Sequence, residues 1–263
     1  MTGNEKTALA QFLDLAGDYL SCGHRRVREE YAFTDDTADS APSDENTCLP
    51  LAYMVEEPAD SPESADSLEI IYSKITNCEN CMLAATRTRT VPGEGVSNPL
   101  VMVIGEGPGA DEDAAGRPFV GKAGQLLDKM LASIKLSRET NCYIANMVKC
   151  RPPENRDPAP EEIIACYPYL ERQILLLRPK VILCAGRVAA QNLLKTSKGI
   201  NAMRGRFNEL KLGDDLTIPV LPTLHPSAVQ RDPDNNRRPA WEDLKLLRAK
   251  LDTFIDPSSM PVL

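Results

Sequence analysis

Two hydrophobic rhythms run along this chain. Near the N-terminus Leu9, Phe12, Leu13, Ala16, Tyr19 and Leu20 recur at three- and four-residue steps, the spacing of one helical face, so residues 1–33 are expected to hold an amphipathic helix. Residues 34–67 then turn to Asp, Glu, Ser and Pro. They bury too little apolar surface to offset the entropy of ordering and read as a disordered acidic linker. From residue 68 onward, buried-type runs alternate with helical stripes. Segments 100–105, 143–148, 180–186 and 218–226 read as strands; 68–76, 121–135, 160–177, 187–195 and 240–254 read as helices. This alternation predicts an α/β fold: a three-layer α/β/α domain over residues 68–255 around a mainly parallel sheet of four strands, with a short tail at 256–263.

In an open sheet of that kind, ligands bind beyond the carboxyl ends of the strands. Three polar motifs fall there: Gly105 to Asp113 after the first strand, Asn146 in the second, and His225 after the fourth. Composition adds one point. The net charge of −8 conceals a split: residues 1–70 hold 16 acidic and 4 basic side chains, residues 71–263 hold 22 and 26. An acidic leader thus precedes a mildly basic body, so the overall charge does not exclude a nucleic-acid partner. No run approaches eighteen apolar residues, so no membrane span is expected. No basic stretch followed by an apolar one opens the chain, and a cytoplasmic protein is expected.

Eight cysteines in such a chain are not expected to pair as disulfides. Cys78 and Cys81 form a C-x2-C pair, and Cys150 and Cys166 follow with fifteen residues between them. A redox dithiol would follow a strand and open a helix, whereas this pair follows a helix and enters a loop. Four thiolates suit zinc or an iron–sulfur cluster equally well on ligand count. Cys142 and Cys184 lie in or beside strands and read as core residues.

Two glycine-rich loops imitate nucleotide-binding motifs. Gly105-Glu-Gly-Pro-Gly-Ala110 matches a dinucleotide fingerprint, but it runs straight into Asp111-Glu112-Asp113, and three carboxylates would repel a pyrophosphate at that helix start. Gly116 to Lys122 matches most of a phosphate-binding loop, but Ala123 stands where a magnesium-binding Ser or Thr belongs. Both readings are rejected. What remains is a loop rich in glycine and carboxylates that ends in Phe119, with Glu106 just past a buried strand, where a carboxylate without purpose would be costly.

Three segments together carry a resemblance: VIGEGPGADEDAAGRPFVGKAGQLL, then YIANMVKCRPP, then HPSAVQR. In this order, within a span from about residue 68 to 254, they resemble the family 4 uracil-DNA glycosylases, iron–sulfur members of the uracil-DNA glycosylase superfamily. Val229 replaces the usual leucine of the last motif. A related branch carries Gln at the first motif and a basic insertion with a covalently reacting histidine; here the residue is Glu106 and no such insertion is found.

The resemblance implies hydrolysis of the N-glycosidic bond of deoxyuridine in DNA, the first step of base excision repair. It implies a [4Fe–4S] cluster on Cys78, Cys81, Cys150 and Cys166, in a structural role. It also implies a pocket in which Phe119 stacks on uracil, Asn146 reads its N3–H and O4, and His225 stabilises charge developing on O2, assisted by backbone amides around Gly107. Glu106 is expected to position water or stabilise the cationic sugar, and Glu112 or Asp113 to border the base near C5. Arg231 and Arg237 are candidates for phosphate contacts, as are Arg204, Arg206 and Arg238. No lysine stands out as desolvated to act as a nucleophile, so a monofunctional glycosylase is expected rather than a lyase. The enzyme is expected to be monomeric, with the N-terminal helix and acidic linker available to a protein partner. The alternative is a protein that keeps the fold and binds DNA or a partner without cleaving.

Overall fold

The computed structural model describes residues 67–213 and 215–254. The helix expected in residues 1–33, the linker apart from Ser67, and the tail lie outside the described residues. Six strands form one sheet: β1 (Glu94–Gly95), β2 (Val101–Gly105), β3 (Cys142–Asn146), β4 (Val181–Ala185), β5 (Asn208–Leu212) and β6 (Leu216–Thr223), in the order β1-β3-β2-β4-β6-β5. The helices are α1 (Leu68–Thr76), α2 (Ala110–Ala115), α3 (Lys122–Ala132), α4 (Pro160–Leu177), α5 (Arg187–Leu193), α6 (Ile200–Met203), α7 (Pro226–Arg231) and α8 (Pro233–Asp252).

The four inner strands β3, β2, β4 and β6 are parallel. They are the runs that read as buried strands, because a parallel sheet covered on both faces needs apolar side chains at every position. Alternate residues of β2 serve opposite cores, as the two-residue period of a strand requires. Met102 and Ile104 pack with Leu170 and Ile174 of α4, while Val101 and Val103 pack with Leu127 and Leu131 of α3 and Leu244 and Leu247 of α8. Cys142 and Cys184 are buried core residues.

The sheet has six strands, not the expected four. Both additions are antiparallel edges. β1 is only two residues long, and Gly95 lies so close to β3 that a Cβ would sit 2.2 Å from the Cys142 carbonyl oxygen. β5 alternates, burying Leu210 and Leu212 and exposing Glu209 and Lys211. The last helix also starts earlier than expected, at Pro233 rather than residue 240. The Asp232 side chain caps it by accepting from the Asn235 N–H, and Pro239 is tolerated inside it. Among the described residues no helix is long and apolar enough to cross a membrane.

Candidate active site

A cavity of about 600 Å³ opens at the carboxyl ends of the parallel strands, and Phe119, Asn146 and His225 share its wall with Glu106 and Gly107. Residues far apart in the chain meet there because the parallel strands β3, β2, β4 and β6 all end at the same edge of the sheet. Gly105 makes the meeting possible. A Cβ at this position would lie 2.4 Å from Asn146 Oδ1 and 2.6 Å from the Phe119 ring, so any side chain would push the two apart.

Phe119 is buried and sits at φ +53°, a left-handed conformation that costs a non-glycine residue of order 1 kcal/mol or more. Two features hold it there. The buried guanidinium of Arg138 donates to the carbonyls of Pro118 and Phe119, both at 2.9 Å, and is itself paired with Asp128. On the other side α3 packs so closely that a Cβ on Gly124 would sit 2.0 Å from the Phe119 carbonyl.

The His225 ring lies 5.7 Å from the Phe119 ring, tilted by 33°. Its Nδ1 receives the backbone N–H of Ser227 at 3.2 Å and lies 2.7 Å from the Ser227 hydroxyl. A backbone donor aimed at Nδ1 assigns the lone pair to that nitrogen and the ring proton to Nε2. Burial, reinforced by the Arg231 charge, pushes the ring's pKa down to about 4, so the imidazole is neutral at ordinary pH. Gly186, at φ +101°, packs against it: a side chain there would be strained by the backbone, and its Cβ would lie 3.0 Å from the His225 Cβ.

Asn146 is 1% exposed, and its Oδ1 is the one buried side-chain polar atom among the described residues that lacks a hydrogen-bond partner. An unpaired buried acceptor costs about 1–3 kcal/mol. Its backbone carbonyl, by contrast, is gripped by the Lys149 ammonium at 2.9 Å, which also donates to Gln173 at 2.8 Å. Lys149 itself is 1% exposed, and burial lowers its pKa to about 8. Its amine is spent on those two acceptors, and it is not part of the cavity wall.

The three acidic candidates separate. Glu106 is half-buried, and burial together with the neighbouring carboxylate of Asp157 raises its pKa to about 7. Glu112 lines the cavity, but its carboxylate organises the loop, accepting from the N–H groups of Gly109, Val120 and Gly121. Asp113 turns away altogether: it is buried, accepts from the N–H groups of Thr88 and Arg89, and does not reach the cavity. Neighbours on a helix point about 100° apart, so one can face a ligand while the other anchors a distant loop.

Of the arginine candidates only Arg231 reaches the cavity. Arg237 lines a separate groove beside Trp241 and Met130. Arg204 is committed to the interior, pairing with both oxygens of the buried Asp243, and Arg206 is exposed and donates to the Ala202 carbonyl. Among the cavity residues that were missed are Asp157, in the loop between β3 and α4, and Arg187, at the start of α5, which form an ion pair. The loop's position after a strand end was the one available signal.

Behind the sheet's β3 end, Cys78, Cys81, Cys150 and Cys166 line one small cavity. The Arg87 guanidinium points at Cys150 Sγ from 3.3 Å, and the Lys149 N–H at Cys166 Sγ from 3.2 Å. None of the six described cysteines forms a disulfide.

The family model described as the uracil DNA glycosylase superfamily matches residues 92–245, and the chain belongs to that superfamily. Its relatives narrow the class. The type-4 uracil-DNA glycosylase of Sulfurisphaera tokodaii is 42% identical over 187 residues, 70% of this chain and 84% of that protein. The type-4 enzyme of Archaeoglobus fulgidus is 46% identical over 168 residues, 62% of this chain and 83% of that protein. For that of Thermotoga maritima the identity is 41% over 180 residues, 68% and 91% of the two chains. This is a chain of the type-4 group.

Proposed function

We propose that this chain is a uracil-DNA glycosylase that takes deoxyuridine out of the DNA stack and hydrolyses its N-glycosidic bond, releasing uracil and leaving an abasic site. The observation that carries the reading is the partnerless buried Oδ1 of Asn146 in a cavity also walled by Phe119 and His225. An acceptor left unpaired in the empty protein is one that a ligand donor satisfies, and uracil offers N3–H. The same carboxamide can donate its N–H to O4. Cytosine presents an acceptor at N3 and a donor at C4, so both contacts reverse and the base is rejected.

Phe119 supplies a stacking face, worth about 1–3 kcal/mol for a base. As the C1′–N1 bond breaks, its electron pair moves to N1 and spreads to O2. The neutral His225 then donates from Nε2 toward O2, stabilising charge that exists only late in the reaction. Water adds to C1′ and gives up a proton; Glu106, past the end of β2, is the carboxylate we assign to that water. Lys149 is held by its two acceptors away from the cavity, which fits hydrolysis rather than attack by an amine.

The four thiols suit an iron–sulfur cluster. They share one cavity, and a cluster takes one thiolate per iron from such a set. Cys78, Cys81, Cys150 and Cys166 would hold it, and its contribution would be a covalent tie between the segment after α1, the loop after β3 and α4.

A uracil-containing oligonucleotide, treated with the protein and then alkali, tests the function. Strand cleavage is expected with the wild type and is expected to be lost or strongly reduced with His225→Ala. Binding of DNA without cleavage by the wild type would favour the non-catalytic alternative.

A further inference from the structure

Glu106 does not stand alone on the cavity wall. Asp157 lies within hydrogen-bonding reach of it, and Asp157 is ion-paired with Arg187 of α5. Three elements thus bring one charged group each to the same edge of the cavity: the end of β2, the loop before α4, and the first residue of α5. Two carboxyl groups hydrogen-bond to each other only when a proton lies between them. Asp157 is 59% exposed at its side chain, so the half-buried Glu106 is joined through it to solvent.

We propose that Asp157, anchored by Arg187, is a positioning residue for Glu106: it accepts the hydrogen bond, and then the proton, of Glu106 once that carboxylate has taken a proton from the water beside the flipped sugar. This rests on the uracil-DNA glycosylase reading above. In the hydrolytic step the C1′–N1 bond breaks with its pair on N1, the water oxygen bonds to C1′, and the water proton passes to Glu106. Asp157 then carries that proton to the cavity rim and out to solvent, while the uracil anion takes its own proton from solvent. No further reactant is needed.

The electrostatics agree with the arrangement. Burial first, then the Asp157 charge, pushes Glu106 up to about 7, and Arg187 opposes the rise. The remaining charged groups on the wall are Asp111, Glu112, Lys122, Arg156 and Arg231, with His225 neutral across the cavity. Because the two carboxyl groups interact, the acid limb of the rate profile belongs to the pair.

The test is the pH dependence of uracil release from a uracil-containing oligonucleotide between pH 5 and 9, under single-turnover conditions, for wild type, Asp157→Asn and Arg187→Ala. The wild-type rate should rise with pH through about 7. Asp157→Asn removes a like charge and should move that limb to lower pH by about half a unit to one unit. Arg187→Ala removes an opposing charge and should move it to higher pH. A limb that stays in place in either variant overturns the proposal, even where the overall rate falls, because a merely structural role lowers the rate at all pH values alike. So does a wild-type profile without an acid limb. A wild type that releases no uracil at any pH defeats the glycosylase reading itself, and is told apart by that.

Discussion

The ammonium of Lys149 donates to the backbone carbonyl of Asn146 at 2.9 Å, so the residue with the unpaired side-chain acceptor is braced from behind by a buried charge. Gln173 completes the brace, accepting from Lys149 and donating to the Pro92 carbonyl and the Tyr143 hydroxyl. Lys149→Met would leave two buried acceptors unsatisfied. A loss of about 2–4 kcal/mol is expected, read as a drop in unfolding midpoint, together with weaker uracil release per folded molecule.

Gly105 gives the sharpest steric prediction. Gly105→Ala puts a methyl group within 2.4 Å of Asn146 Oδ1 and 2.6 Å of the Phe119 ring. The expected result is a folded protein in which uracil release falls at least about a hundredfold, because stacking and edge recognition are both displaced. Normal activity in the Ala variant would show that neither contact matters to the reaction.

Asn146→Asp keeps the size and replaces the N–H donor with an acceptor. Opposite uracil O4 this repels, and a buried carboxylate adds its own desolvation cost. Uracil release should fall by about two orders of magnitude, corresponding to about 3 kcal/mol, and the preference for uracil over cytosine should narrow. Single-stranded oligonucleotides carrying either base measure both effects.

For His225 the folded pKa is about 4, below the ordinary 6.5. The unfolded chain therefore binds a proton in a window where the folded one does not. The contribution to stability is full above about 6.5 and is lost as pH falls toward 4, amounting to at most about 3 kcal/mol. Thermal unfolding of wild type and His225→Gln should converge at acid pH for this reason. Within the same window His225 stays neutral, so loss of uracil release below pH 7 should not be traced to this ring.

The cysteine cavity predicts a visible phenotype. Wild-type protein purified with its iron retained should be coloured and contain several iron atoms per chain, whereas Cys78→Ser should be pale and poorly soluble. A colourless wild type with one zinc per chain would overturn the cluster.

Legibility in the sequence tracked how local the physical cause was. The inner strands announce themselves because burial on both faces leaves no polar position in 101–104 or 181–185. Glu94–Gly95 is too short to show any period, and β5 offers only two apolar residues in five. Asn146 and His225 stood out as polar residues at strand ends, and Phe119 as the aromatic end of a glycine-rich loop. Asp113 was misread because adjacency in sequence hides the turn of the helix between it and Glu112. The Asp157–Arg187 pair spans thirty residues and leaves no local pattern, and nothing in the spacing tells that the Lys149 side chain folds inward rather than out.

The aromatic lid has its freedom removed before any base arrives. Its main chain is fastened on one side by a guanidinium and on the other by a helix that allows no side chain at the contact. A base that stacks on this ring meets a main chain already ordered, so capture carries little further conformational cost from this loop.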